Sequence, residues 1–156
     1  MSMSNINYVS LAEMWPFMEE EINSGKTVRF APRGTSMLPM LRQGIDTVVL
    51  KKAPEKLNKY DLPLYMRENG QFVLHRVIGK DKNGYIMRGD NQCVRERGIG
   101  DANILANVSG FYRGDTFVLC DNNEYKKYCI KVVKKQNIKY VIVKIKQVIK
   151  KILRIK

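Results

Sequence analysis

The chain has 156 residues, of which 44% are hydrophobic and 28% are charged, and its net charge at pH 7 is +13. This length and balance fit one globular domain and exclude a disordered, collagen-like or coiled-coil chain. The charge is concentrated at one end, because residues 1–124 carry 16 basic and 15 acidic side chains and residues 125–156 carry 12 basic side chains and no acidic one. We therefore expect a near-neutral folded body followed by a polycationic tail.

The N-terminal segment predicts a short amphipathic helix. Apolar residues recur at helical spacing in residues 11–22, and Gly25 can end the helix. Ser10 and Glu13 have the spacing of a capping box. Glutamates interrupt the apolar residues, and no run has the length of a signal peptide or of a membrane-spanning helix. We predict that residues 1–26 form an N-terminal helix, that the protein is cytoplasmic, and that its cysteines are reduced thiols.

Residues 27–124 predict a β-rich body. Short apolar or alternating runs are separated by turns that contain glycine and asparagine. The runs around Asn83-Gly84 resemble consecutive strands of a hairpin. The run LPLYM contains Pro63, which predicts an edge strand or a bulge. The predicted fold class is mainly β, with an N-terminal helix and a C-terminal helix.

Residues 125–156 form the basic tail. From Ile138 onward, aliphatic residues recur at i, i+3, i+4 and i+7 with lysines mostly between them, which predicts a basic amphipathic helix. Its partner could be an anionic membrane surface, the body or a second copy of the chain, or nucleic acid. The stretch from Ile138 onward contains a single aromatic residue, Tyr140, which provides poorly for stacking on bases. The pattern in residues 138–156 therefore favours a membrane surface, and no specific nucleic acid is expected.

The first segment with chemical potential surrounds Ser36. A serine on a tight turn after a glycine can present its own backbone N–H to a substrate carbonyl, as part of an oxyanion hole. Taken alone, the segment also fits a simple turn before a β-strand. The residues predicted to form the oxyanion hole or to contact substrate are Gly34, Thr35, Met37, Leu38 and Pro39.

The second and third segments contain His75 and Asp90. His75 is the only histidine of the chain, in the middle of an apolar run that predicts a strand. An imidazole titrates near pH 6.5 and can take the proton of a serine hydroxyl, which is a poor nucleophile without a base. Asp90 lies in a Gly-Asp-Asn turn and could orient that imidazole. Taken alone, His75 could be a core residue and Asp90 a turn residue.

Together the segments resemble the signal peptidase I and LexA-like serine peptidase superfamily. The patterns S-M-x-P-x-L, x-G-x-D-x-V, H-R-V-I-G and R-G-D-N follow one another between residues 28 and 112. The resemblance implies a β-rich catalytic core with Ser36 as nucleophile. It implies His75 as general base, where most bacterial signal peptidases have lysine, and Asp90 as third member, as in endoplasmic-reticulum and sporulation-type signal peptidases. No metal or other cofactor is expected.

The expected function is a serine endopeptidase that cleaves a leader or precursor peptide in trans. Gly34 stands where many bacterial signal peptidases have an oxyanion-binding serine, so backbone N–H groups must form the hole. Self-cleavage of the LexA kind is not expected, because the chain contains no Ala-Gly or Cys-Gly bond and residues 1–26 cannot hold a helix-turn-helix domain. The alternative is a non-catalytic or regulatory β domain that binds anionic membrane or nucleic acid through its tail.

Overall fold

Two helices and two antiparallel sheets make up residues 10–153, the part of the chain that the computed structural model describes. The helices are α1 (Leu11–Asn23) and α2 (Asn123–Leu153). The strands are β1 (Val28–Phe30), β2 (Thr47–Lys51), β3 (Pro63–Met66), β4 (Phe72–Leu74), β5 (Arg76–Asp81), β6 (Gly84–Arg88), β7 (Glu96–Ile99), β8 (Ile104–Arg113) and β9 (Thr116–Leu119). The prediction of a mainly β fold with a helix at each end is confirmed.

The larger sheet has the order β1-β2-β8-β3-β4, and β9 pairs with the far end of β8. Val48 and Leu50 of β2 and Ala106, Val108 and Phe111 of β8 face the core. Trp15, Met18 and Ile22 of α1 complete it. The capping box predicted for α1 is confirmed, because the Ser10 hydroxyl accepts from the backbone N–H of Glu13 and the Glu13 carboxylate accepts from that of Ser10. Burial of the apolar face of α1 fixes the helix against this sheet.

Of the two alternatives predicted for β3, an edge strand or a bulge, the edge strand is wrong. It lies inside the sheet, between β8 and β4. Pro63 is tolerated because it is the first residue of the strand, where a missing N–H disturbs the ladder least. The predicted irregularity does occur one residue later, since the register against β8 shifts between Leu64 and Tyr65.

The smaller sheet has the order β5-β6-β7 and packs around a second core of Tyr65, Val77, Tyr85, Met87 and Ile99. Strands β5 and β6 form the predicted hairpin, with Asp81 opposite Gly84. Gly84 has φ +127°, a backbone conformation that disfavours residues with a side chain.

Helix α2 is longer than the predicted tail helix and begins at Asn123. Its first half packs on the body through five buried residues, which are Tyr125, Cys129, Val132, Val133 and Gln136. No helix within residues 10–153 has both the length and the apolarity that a bilayer-crossing segment needs.

Candidate active site

Ser36 and His75 line the same cavity, which has a volume of about 320 Å³. The turn that carries Ser36 forms one side, and β4 with the residues after it forms the other. Among the predicted site residues, the lining includes Gly34, Thr35, Ser36, Met37 and His75. Leu38, Pro39 and Asp90 are not part of the lining. The fold therefore brings together the predicted nucleophile and the predicted base.

The turn around Ser36 is stabilised by its own hydrogen bonds. Gly34 has φ +96°, which favours glycine at this position, and its N–H donates to the side-chain oxygen of Gln43 at 2.7 Å. The N–H of Leu38 donates to the Thr35 carbonyl at 3.2 Å. The N–H of Ser36 makes no hydrogen bond to any residue in the described part of the chain. It is therefore available to a substrate oxygen.

The Gly-Asp-Asn loop packs directly against this turn. The backbone N–H of Asn91 donates to the Ser36 carbonyl at 2.8 Å, and its side-chain amide donates to the Thr35 carbonyl at 3.3 Å. A Cβ atom on Gly89 would lie 2.6 Å from the Ser36 carbonyl oxygen, so only glycine permits this approach. The loop thus positions the nucleophile turn.

Asp46, the aspartate of the x-G-x-D-x-V pattern, anchors the other end of the turn. It is fully buried and accepts from the backbone and guanidinium of Arg42 and from the N–H of Gly114. The hydrogen bonds from Arg42 lower the pKa of Asp46 to about 2, against the opposing effect of burial. Asp46 is therefore charged at neutral pH, and its hydrogen bonds tie the Ser36 loop to the β8–β9 hairpin.

His75 lies between β4 and β5, where the chain leaves the larger sheet and enters the smaller one. The prediction that it lies in the middle of one strand is therefore wrong, because the apolar run contributes to both sheets. The side chain is buried, and this burial lowers its pKa to about 4, although the negative charge of Glu96 partly raises it. The imidazole is thus neutral at pH 7, the form that accepts a proton.

The hydrogen bonds of Tyr65 fix the tautomer of His75. The Tyr65 hydroxyl donates its proton to Glu96 Oε2 at 2.8 Å, and burial raises its pKa well above the usual value, so it stays protonated. The same oxygen lies 3.2 Å from His75 Nδ1 and can only accept there. Nδ1 therefore carries the hydrogen, and Nε2 keeps the lone pair that a general base needs.

Glu96 completes a network that the sequence did not predict. Arg67 holds it with two hydrogen bonds of 2.7 Å, which lower the pKa of the carboxyl group. Glu96 Oε2 lies 3.9 Å from His75 Nδ1, close enough to stabilise a protonated imidazole. Tyr65, Arg67 and Glu96 come from β3, from the turn after it and from β7, so no spacing along the chain relates them to His75.

Asp90 occupies a different buried network. Its carboxylate accepts from Arg76 Nε at 2.8 Å, from Arg76 Nη2 at 2.7 Å and from the Tyr128 hydroxyl at 3.0 Å. Its backbone carbonyl accepts from the Gln136 side chain at 2.7 Å. Within residues 10–153 it makes no hydrogen bond to His75. The structure therefore brings Ser36 and His75 to one cavity and places Asp90 in the support of the Gly-Asp-Asn loop.

Ser36 and His75 share the cavity without a direct hydrogen bond between their side chains among the described residues. Catalytic hydrogen bonds are often long in an unliganded site and shorten when substrate binds. Clusters of His, Cys, Asp and Glu that could hold a metal ion are absent from the described part of the chain. Comparison of the chain with protein-family models and with curated proteins finds no match.

The role of Glu96 leads to the first prediction. Replacing it by glutamine removes the charge beside His75, and we expect kcat to fall about 10- to 100-fold, part of the contribution of a general base. Because the Glu96 charge raises the pKa of His75, the acid limb of kcat/KM, expected near pH 4, should move to lower pH. Glu96→Asp should recover part of the rate. A pH profile of each variant measures both effects.

The matched control is Glu68→Gln, an exposed carboxylate in the turn between β3 and β4. It should leave both the rate and the profile unchanged. An unchanged profile for Glu96→Gln would remove Glu96 from the network that positions His75.

Proposed function

We propose that this protein is a serine endopeptidase in which Ser36 is the nucleophile and His75 is the general base. The observation that carries the proposal is the cavity that both side chains line, with His75 neutral and its Nδ1–H directed to Tyr65. The resemblance of the Ser36, His75 and Gly-Asp-Asn segments to signal peptidases and LexA-like peptidases supports the same chemistry. The proposed third group is the Tyr65–Glu96 pair, in the role that sequence reasoning gave to Asp90.

The proposed reaction proceeds through an acyl-enzyme. Ser36 Oγ attacks the carbonyl carbon of the scissile bond while its proton passes to His75 Nε2. The oxyanion accepts a hydrogen bond from the Ser36 N–H. The protonated imidazole, stabilised by Glu96, gives its proton to the leaving amine, and the C–N bond breaks. Water, deprotonated by the same imidazole, then cleaves the ester and restores the Ser36 hydroxyl.

The proposed substrate is a peptide in extended conformation. Strand β4 is an edge strand whose partner within residues 10–153 is β3 alone, so its other side has unpaired backbone groups. An extended peptide can add to such an edge by main-chain hydrogen bonds, with side-chain pockets setting the selectivity. Apolar side chains of Met37, Leu41 and Phe72 line the cavity beside this edge and would receive a small apolar substrate side chain. We propose a leader or precursor peptide cleaved in trans, in the cytoplasm.

The test begins with an active-site probe and a peptide library. A fluorophosphonate should label the protein, and mass spectrometry of the digested adduct should place the label on Ser36. Incubation with a library of proteome-derived peptides, followed by sequencing of new termini, identifies a cleaved substrate. Both labelling and cleavage should be lost in Ser36→Ala.

The matched control is Ser24→Ala. The Ser24 hydroxyl is exposed and donates only to the Glu21 carbonyl at the end of α1, so this variant should label and cleave like the original protein. Equal labelling of Ser36→Ala, or cleavage that persists in it, would reject the proposal. Absence of labelling in the original protein would favour the alternative, a non-catalytic β domain.

A further inference from the structure

The second half of α2 extends away from the body. The last contacts with the body involve Asn137, whose side chain accepts from Arg88 and Arg95, and Tyr140, whose ring lies 4.2 Å from the Arg95 guanidinium. Every residue from Val141 to Leu153 is exposed. We call residues 138–153 the outer segment; at 1.5 Å per residue it is about 24 Å long.

The aliphatic residues of the outer segment, apart from Val143 on the opposite side of the helix, form one stripe. They are Ile138, Val141, Ile142, Ile145, Val148, Ile149, Ile152 and Leu153, each 47–67% exposed. At about 100° per residue, these positions fall within an arc of about 140°. The residues by which the first half of α2 packs on the body are centred about 170° from the middle of that arc. The stripe therefore faces away from the body, and a continuous helix cannot pack it onto the same body.

Lysines flank the stripe on both sides. Lys139, Lys146 and Lys150 lie along one margin, and Lys144 and Lys151 lie along the other, by the same helical geometry. No acidic residue occurs between Tyr125 and the C-terminus. An apolar stripe between two rows of lysines matches a bilayer surface, where acyl chains accept the stripe and anionic headgroups accept the ammonium groups.

The charge pattern disfavours the other occupants. Two copies of the outer segment packed stripe to stripe would bring lysine rows together with no carboxylate to pair them, whereas stable helix pairs place opposite charges at these margins. Nucleic acid would neutralise the lysines but would leave the isoleucine stripe in water. Only an anionic lipid surface satisfies the stripe and the lysines together.

We propose that the outer segment is a docking surface for an anionic lipid bilayer and lies parallel to the bilayer plane with its stripe at the headgroup boundary. This inference goes beyond the proposed peptidase activity and does not depend on it. A peptidase docked in this way would meet peptides that are themselves bound to the membrane.

The test is flotation of the full chain with vesicles of phosphatidylcholine alone or with 30% phosphatidylglycerol. We expect binding to the anionic vesicles, at least about tenfold weaker binding to the neutral ones, and weakening by 0.5 M NaCl. The double variant Ile145→Glu/Ile149→Glu places charge in the stripe. Its partition into anionic vesicles should fall at least about tenfold more than that of the control described next.

The matched control is Val143→Glu/Gln147→Glu, which makes the same change of charge on the opposite side of the helix. All four positions are exposed, so circular dichroism should show an unchanged fold in both variants. Equal losses in the two variants, or equal binding of the original chain to both kinds of vesicle, would overturn the proposal. A stripe-dependent dimer in sedimentation velocity, with no vesicle binding, would overturn it in favour of a second copy of the chain.

Discussion

Replacing Ser36 by alanine is expected to lower kcat/KM of a peptide identified by library cleavage by at least about 10⁴-fold, since it removes the hydroxyl that is proposed to form the acyl-enzyme. His75→Ala should have a similar effect, because the chain has no other imidazole to take the proton. The measurement is the initial rate of cleavage, with circular dichroism to show that the variants are folded.

The double variant Ser36→Ala/His75→Ala sharpens this test. Nucleophile and base act as a unit, so removing both should cost no more than removing one. Independent, multiplicative losses would instead mean that His75 serves substrate binding or stability rather than proton transfer. Ser24→Ala, at the end of α1, is the reference that should retain full activity.

Replacing Asp90 by asparagine is expected to lower the free energy of unfolding by about 3–5 kcal/mol. The carboxylate pairs with the fully buried guanidinium of Arg76, and its neutralisation leaves that charge uncompensated in the core. Urea denaturation, read by fluorescence, measures the loss. Adding Arg76→Met to Asp90→Asn should recover part of the stability, because no buried charge then remains.

The matched control is Asp81→Asn, which breaks a salt bridge to Arg97 whose partners are 28% and 54% exposed. It should cost at most about 1 kcal/mol. Comparable small losses for both variants would contradict the structural role of the Asp90–Arg76 pair. Activity per folded molecule separates the two roles of Asp90, since a triad aspartate would cost about 10⁴-fold in kcat and a supporting residue much less.

The sequence predicted those features that depend on local patterns. The capping box of α1, the β5–β6 hairpin and the amphipathic outer segment each follow from residues close together in the chain. The prediction for β3 was partly wrong because a proline at the first position of a strand does not weaken the ladder as one inside it would. Edge or interior position is a property of the whole sheet.

The sequence predicted those residues of the candidate site that belong to recognisable motifs, and it did not predict the others. Ser36 and His75 were found because a serine turn and a single histidine have chemical meaning on their own. Glu96 was missed because it reaches His75 only through the packing of β3 against the smaller sheet. Asp90 was predicted in the role that we now propose for Glu96, because both residues are acidic and close in sequence. The buried ion pair of Asp90 with Arg76 distinguishes the two roles.

The contacts of α2 with the Gly-Asp-Asn loop affect how this protein should be shortened. The side chain of Gln136 donates to the Asp90 carbonyl. The N–H of Asn91, the residue after Asp90, donates to the Ser36 carbonyl. A C-terminal truncation before Gln136 would thus loosen the nucleophile turn as well as remove lysines. A cut after Tyr140 leaves that chain of contacts whole, so the boundary of a shortened protein decides whether its loss of function reports on lipid or on catalysis.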